Sequence, residues 1–205
     1  MIPTLHDGPA TGSPTVVLAH GAGAGMSHPF LTAVARGLAA AGLPVVRFDF
    51  PYRTAGKKVP GPMPVLQDAL RTVVRQHATG PFVLAGKSMG GRVATMLADE
   101  LGALRCVVFG YPFHPPGKPT QLRVAHLAAL RTPTLILQGE RDEFGTREQV
   151  AGYALSPAIE VAWYADGDHS LVPRKASGFT AAQHFAAAME RVRNFVVPAP
   201  DSNRA

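Results

Sequence analysis

Short, continuously apolar runs recur along this chain, separated by segments with helical spacing, and this rhythm narrows the folds open to it more than any other feature. The runs lie at 15–19 (TVVLA), 45–50 (VVRFDF), 82–85 (FVLA), 106–109 (CVVF), 134–137 (TLIL) and 159–164 (IEVAWY). Most of them are continuously apolar and do not alternate apolar with polar residues, so they suit strands covered on both faces, as in a parallel sheet. Between them, 30–41, 65–77, 90–101, 122–130, 147–155 and 180–196 carry helical patterns, several stopped by a glycine such as Gly42 or Gly102. Strand alternating with helix predicts an α/β fold: one doubly wound, mainly parallel sheet of about six strands flanked by helices. The Pro- and Gly-rich stretches at 53–64 and 111–120 read as loops, not linkers. A single domain over 1–197 is expected, with a frayed tail at 198–205.

Composition supports this and excludes other classes. Hydrophobic residues form 46% of the 205, enough to bury a core, so bulk disorder is excluded. The one cysteine, Cys106, allows no intramolecular disulfide and suits the cytoplasm, a reducing compartment. No run approaches the ~18 apolar residues that span a bilayer, and residues 1–14 lack the basic-then-apolar signature of a secretory leader. No membrane association is expected. Lys and Arg exceed Asp and Glu by 20 to 14, but apart from Lys57-Lys58 they are scattered singly. With only 7% aromatics, nothing predicts a nucleic-acid partner.

Glycine-rich turns follow strands, so phosphate binding is tested first. Residues 20–26 (HGAGAGM) place glycines at 21, 23 and 25. A dinucleotide fingerprint needs another at 26 or 28, where Met26 and His28 stand. A P-loop ending at Gly86-Lys87-Ser88 would need a glycine at 81, which is Pro81. No cofactor is implied.

The segment Gly86-Lys87-Ser88-Met89-Gly90 instead fits G-x-S-x-G between an apolar strand and a helix, the context of a nucleophile elbow. A serine nucleophile needs a base, and the base an orienting acid, in the chain order Ser, Asp/Glu, His. After the fifth run comes Asp142, the expected acid, with Glu140 and Glu143 as competitors. After the sixth comes His169, the expected base. The backbone N–H groups of Ala22 and Met89 are expected to form an oxyanion hole, with Gly23 as fallback for Ala22. His20 is expected to hold the first loop by hydrogen bonding, and His77, His126 and His184 to be surface or flanking residues. No metal is implied: His and acidic residues lack zincin spacing, and one cysteine builds no thiolate site.

These blocks resemble the α/β-hydrolases, and within them the bacterial branch of the group related to testis-expressed protein 30 and the third subunit of the NSL chromatin complex. The likeness is carried by HGAGAGMSHPF (20–30), RFDFPY (47–52), GKSMGGRVATMLA (86–98), YPFHPPGKPTQLR (111–123), QGERDEFG (138–145) and GDHSL (167–171). The resemblance implies a triad of Ser88, Asp142 and His169 but no particular substrate. Ser88 stands where dienelactone hydrolases use cysteine, and where haloalkane dehalogenases and epoxide hydrolases use aspartate.

The loop over 110–121 is too short for the helical lid that many such proteins insert there, so an open, lidless site is expected. Its rim is expected to comprise Arg53, Lys57, Lys58, Tyr111, His114 and Lys118, the basic members favouring anionic groups. The function expected is a carboxylesterase acting on a small-molecule acyl substrate. An acyltransferase with the same triad and a non-catalytic scaffold are the rival readings. Oligomeric state is not legible.

Overall fold

The computed structural model describes residues 2–197; the tail expected at 198–205 lies outside them. Its strands are β1 (Thr4–Asp7), β2 (Thr15–Ala19), β3 (Val45–Phe48), β4 (Phe82–Lys87), β5 (Arg105–Phe109), β6 (Thr134–Gly139) and β7 (Ile159–Tyr164). They form one sheet in the order β1-β3-β2-β4-β5-β6-β7, parallel throughout except for β1. Helices α1 (Pro29–Ala40) and α6 (Ala181–Val196) cover one face, and α3 (Met63–His77) and α4 (Met89–Leu101) the other. Within β2, Val16 and Leu18 pack towards α1 and α6, while Val17 and Ala19 pack towards α3 and α4. Apolar side chains pack on both faces of the sheet, which is why the central strands are apolar at most positions.

Strand connections diverge between β2 and β4. The crevice outside the carboxyl ends of the strands at such a switch point is where open α/β sheets bind ligands. Among the described residues no helix is long and apolar enough to cross a membrane.

The structure departs from the sequence reading in four places. A seventh strand, β1, pairs antiparallel with β3 at the sheet edge. Its residues, TLHD, are half exposed, and Arg47 ties it in by a two-pronged bond to Asp7 (2.8 and 3.0 Å). The first two residues of the expected loop at 53–64 belong to a short helix α2 (Pro51–Thr54), and α3 begins two residues before the expected start. The expected helix at 122–130 is only a 3₁₀ turn, Ala125–Ala129. Arg123 N–H donates to Phe113 O (2.8 Å) and Tyr111 Oη to Arg123 O (2.8 Å), so tertiary bonds hold 122–124 in the loop against its helical propensity. The expected helix at 147–155 stops early, as α5 (Arg147–Ala151), opened by a Thr146–Gln149 capping box.

Candidate active site

The end of β4 turns sharply into α4. Ser88 sits at the apex with φ 53° and ψ −117°, a conformation L-residues avoid and one seen where a fold over-determines a functional residue. The close approach explains a neighbouring glycine: a β-carbon at Gly90 would lie 2.5 Å from the Ala19 carbonyl oxygen. Ser88 N–H donates to Phe109 O (3.0 Å), fixing the turn against β5.

The loops after β6 and β7 bring the other expected residues to it. Ser88 Oγ lies 2.8 Å from His169 Nε2, and His169 Nδ1 lies 2.7 Å from Asp142 Oδ2. Asp142 is fully buried. Its Oδ2 also accepts from Gln138 Nε2 (2.7 Å), and its Oδ1 from Phe144 N–H (2.9 Å). The Gln138 amide cannot be reversed, because its Oε1 accepts from Tyr111 N–H (2.7 Å). Asp142 therefore faces donors only and is held as a carboxylate acceptor. His169 then donates through Nδ1, leaving Nε2 to accept the Ser88 proton.

The competing acids stand elsewhere. Glu140 pairs with Arg147 (2.7 Å) at the surface, and Glu143 is exposed.

His169 is held from below by Lys87, whose Nζ donates to the His169 carbonyl at 2.5 Å. Burial lowers the Lys87 ammonium to about 8, against the opposing pull of Asp142 and Asp168. The Phe144 ring lies 4.2 Å from the His169 ring, between centroids. Gly110, at φ 66°, passes beneath the same loop; a β-carbon there would meet the His169 carbonyl at 2.6 Å.

Ser88 and His169 open into a cavity of about 530 Å³ that Gly21, Ala22 and Met89 also line, within the range of small-molecule sites. Met89 is the first residue of α4, so its N–H has no acceptor within the helix. Gly23, the fallback, does not line the cavity. Apolar walls come from Phe30, Leu31, Met63, Leu66 and Phe144.

His20 secures the first loop as expected. Phe50 N–H donates to its Nε2 (3.1 Å), and its Nδ1 donates to Gly21 O (2.8 Å). These partners fix the neutral tautomer, and burial lowers its pKa below 6.5. His126 is likewise pushed down to about 4 by burial and by the Arg92 charge. Because the folded forms of both refuse a proton that the unfolded chain accepts, stability is full above about pH 6.5 and falls as pH drops towards 4. The melting temperature should therefore decline across this window, less steeply in His126→Gln. A flat profile from pH 7 to about 4.5 would contradict the burial of neutral imidazoles.

The expected rim is not where the sequence put it: none of Arg53, Lys57, Lys58, Tyr111, His114 and Lys118 lines the cavity. Pro51 starts α2 and buries Tyr52, so Arg53 passes under the first loop near Gly25 and the exposed lysines 57 and 58 turn into solvent. Only Pro60 and Gly61 of that loop reach the cavity. Gln138 clamps Tyr111, whose ring is buried against Phe113 at 4.8 Å between centroids. His114 is also buried, with Nε2 at 3.2 Å from Gln149 Oε1. Lys118 is exposed. His184, expected as a surface or flanking residue, is buried and donates to Leu171 O (2.8 Å). Sequence reasoning assigned no role to Gln138 and set Lys87 aside with the P-loop; it also overlooked Arg92 and Arg123 in the cavity wall. A polar residue ending an apolar strand, as in TLILQG, was the available signal for Gln138.

Among the described residues no group of three or more His, Cys, Asp or Glu side chains is placed to hold a metal ion. Cys106 is buried within the sheet, and burial pushes its thiol up to about 12.

A seven-stranded, mostly parallel sheet with an elbow serine at its switch point is the framework of the α/β-hydrolase fold. Residues 12–197 match the alpha/beta hydrolase domain family, and the chain belongs to it. The structure is similar to a serine hydrolase without a lid from Xanthomonas campestris, at 22% identity over 97% of this chain and 91% of that one, with a TM-score of 0.70. It also resembles Est1E of Butyrivibrio proteoclasticus, solved with ferulic acid bound, at 16% identity over 93% and 94% of the two chains (TM-score 0.73). A monoacylglycerol lipase from Paleococcus ferrophilus is similar at 15% identity, over 95% and 99% (TM-score 0.70).

Proposed function

We propose that this protein is a serine hydrolase, a carboxylesterase acting on small soluble acyl substrates, from the branch related to testis-expressed protein 30. The observation that carries the reading is the continuous chain from Asp142 through His169 to Ser88 Oγ at the mouth of a cavity. Ser88 Oγ attacks the ester carbonyl while His169 Nε2 takes its proton, and Asp142 stabilises the imidazolium. The developing oxyanion is met by the N–H groups of Ala22 and Met89. His169 returns the proton to the departing alcohol, leaving Ser88 acylated. Water, deprotonated by His169, then releases the acid and restores the serine. The buried, unreactive Cys106 suits a cytoplasmic setting.

Substrate length follows from the walls. Without a lid, each methylene beyond the cavity stays in water and gains little of the ~0.8 kcal/mol of full burial. Aryl esters of roughly C2–C6 should show the highest kcat/KM in a C2–C16 series. An optimum at C12 or longer would contradict the open site, and turnover of amides or thioesters in place of esters would contradict the ester assignment.

A further inference from the structure

Two guanidinium groups in the cavity have no part in the acyl transfer just described. Arg92 stands on the first turn of α4, its N–H bonded to Ser88 O (2.9 Å), and Arg123 comes from the loop between β5 and the 3₁₀ turn. Both line the cavity that Ser88 and His169 open into, and none of its lining residues is acidic. Among the described residues neither guanidinium meets a carboxylate; the arginine ion pairs are those of Arg47, Arg71, Arg131, Arg141, Arg147, Arg174 and Arg191. Arg92 Nε is buried with no hydrogen-bond partner.

The surroundings leave this charge uncompensated. Burial and the Arg92 charge both push the Arg123 guanidinium down. The adjacent His126 is held neutral, and burial raises the Tyr111 phenol, so it too stays uncharged. Two like charges in a half-buried wall cost stability unless an opposite charge joins them. Lys87, the third cation of the wall, is already engaged by the His169 carbonyl.

We propose that Arg92 and Arg123 form a subsite for an anionic group, a carboxylate or phosphate, on the non-reacting part of the substrate, so that the preferred substrates are acidic esters. This rests on the acyl-transfer reading and narrows its substrate class. It also moves the basic selectivity once expected of the exposed loop lysines to groups inside the cavity, where solvent screening is weaker. Arginine suits the role because its planar fork binds a carboxylate or phosphate through paired donors.

Matched esters test it: para-nitrophenyl hemiadipate against para-nitrophenyl methyl adipate for an acyl-side anion, and meta-acetoxybenzoate against its methyl ester for a leaving-group anion. The acid of at least one pair should be preferred in kcat/KM by about 10-fold or more. Arg92→Gln and Arg123→Gln should each cut that ratio about 10-fold, given the usual strength of a charged hydrogen bond. Lys57→Gln, altering an exposed lysine outside the cavity, should leave the ratio where it was. No acid preference in either pair, or a preference unmoved in both arginine variants, overturns the proposal. Should the variants fail to fold, calorimetry on the native protein decides: adipate or inorganic phosphate should bind and competitively inhibit neutral-ester turnover, and absence of both effects overturns it. Neutral and acidic esters hydrolysed equally would remove the subsite alone. Failure to hydrolyse any ester, with anion binding intact, would instead remove the acyl-transfer reading.

Discussion

Replacing Ser88 with alanine is expected to lower kcat on an aryl ester by ~10³-fold or more while leaving the protein folded. The substitution keeps a β-carbon, so backbone strain at φ 53° is unchanged. Ser88 Oγ makes no helix-cap bond; its one side-chain partner among the described residues is His169. Apart from the bond to His169, nothing structural is therefore lost with the hydroxyl. Residual rate would come from the Ala22 and Met89 N–H groups. Steady-state kinetics alongside a melting curve reads both parts. Near-native turnover by the alanine variant would contradict the serine mechanism, and collapse of the fold would contradict this account of the elbow.

Asp142→Asn is also expected to have a large effect, ~10⁴-fold in kcat, from the known cost of the wrong histidine tautomer in such triads. The local reason is specific. Both Asp142 oxygens face donors, from His169 and Gln138 on one side and Phe144 N–H on the other. An asparagine must turn its amide donor towards one of these sets. Turned to His169, it forces the imidazole to accept at Nδ1 and to carry its proton on Nε2, facing Ser88. Turned to Phe144, it leaves a buried N–H without an acceptor, at a cost of ~1–3 kcal/mol. The loss should fall on kcat more than on KM, because His169 acts after the ester binds. A decrease below 10-fold would argue that Asp142 is structural only.

Much of this site was legible because its signals are local. The elbow announces itself by five residues in a strand-to-helix context, and Asp142 and His169 follow the last two apolar runs in the required order. Between Glu140, Asp142 and Glu143 no pattern decides. Burial does, since Asp142 alone is enclosed by donors while Glu140 is taken up by Arg147. Edge strand β1 was hidden because it has one neighbour and a half-exposed surface, so TLHD carries no apolar run; a long-range Arg47–Asp7 pair holds it. The rim failed for a related reason. Loops at the carboxyl ends of strands border the site in general, but the direction each side chain takes is set by contacts remote in sequence. Gln138 on β6 draws Tyr111 into the core. Pro51 starts a turn of helix that sends Lys57 and Lys58 outward. Arg92 and Arg123, single basic residues without any sequence pattern, meet only once α4 and the loop after β5 are packed.

The most direct test of the central claim is covalent: incubation of the native protein with a fluorophosphonate, followed by intact-mass and peptide mass spectrometry. Only a serine activated by a neighbouring base should react, since an ordinary hydroxyl is a weak nucleophile. One adduct per chain is expected, located on the peptide containing Ser88, and lost in Ser88→Ala. No adduct, or an adduct retained by the alanine variant, would contradict the claim that Ser88, His169 and Asp142 form a working nucleophile, and would favour a fold that has kept its geometry without its chemistry.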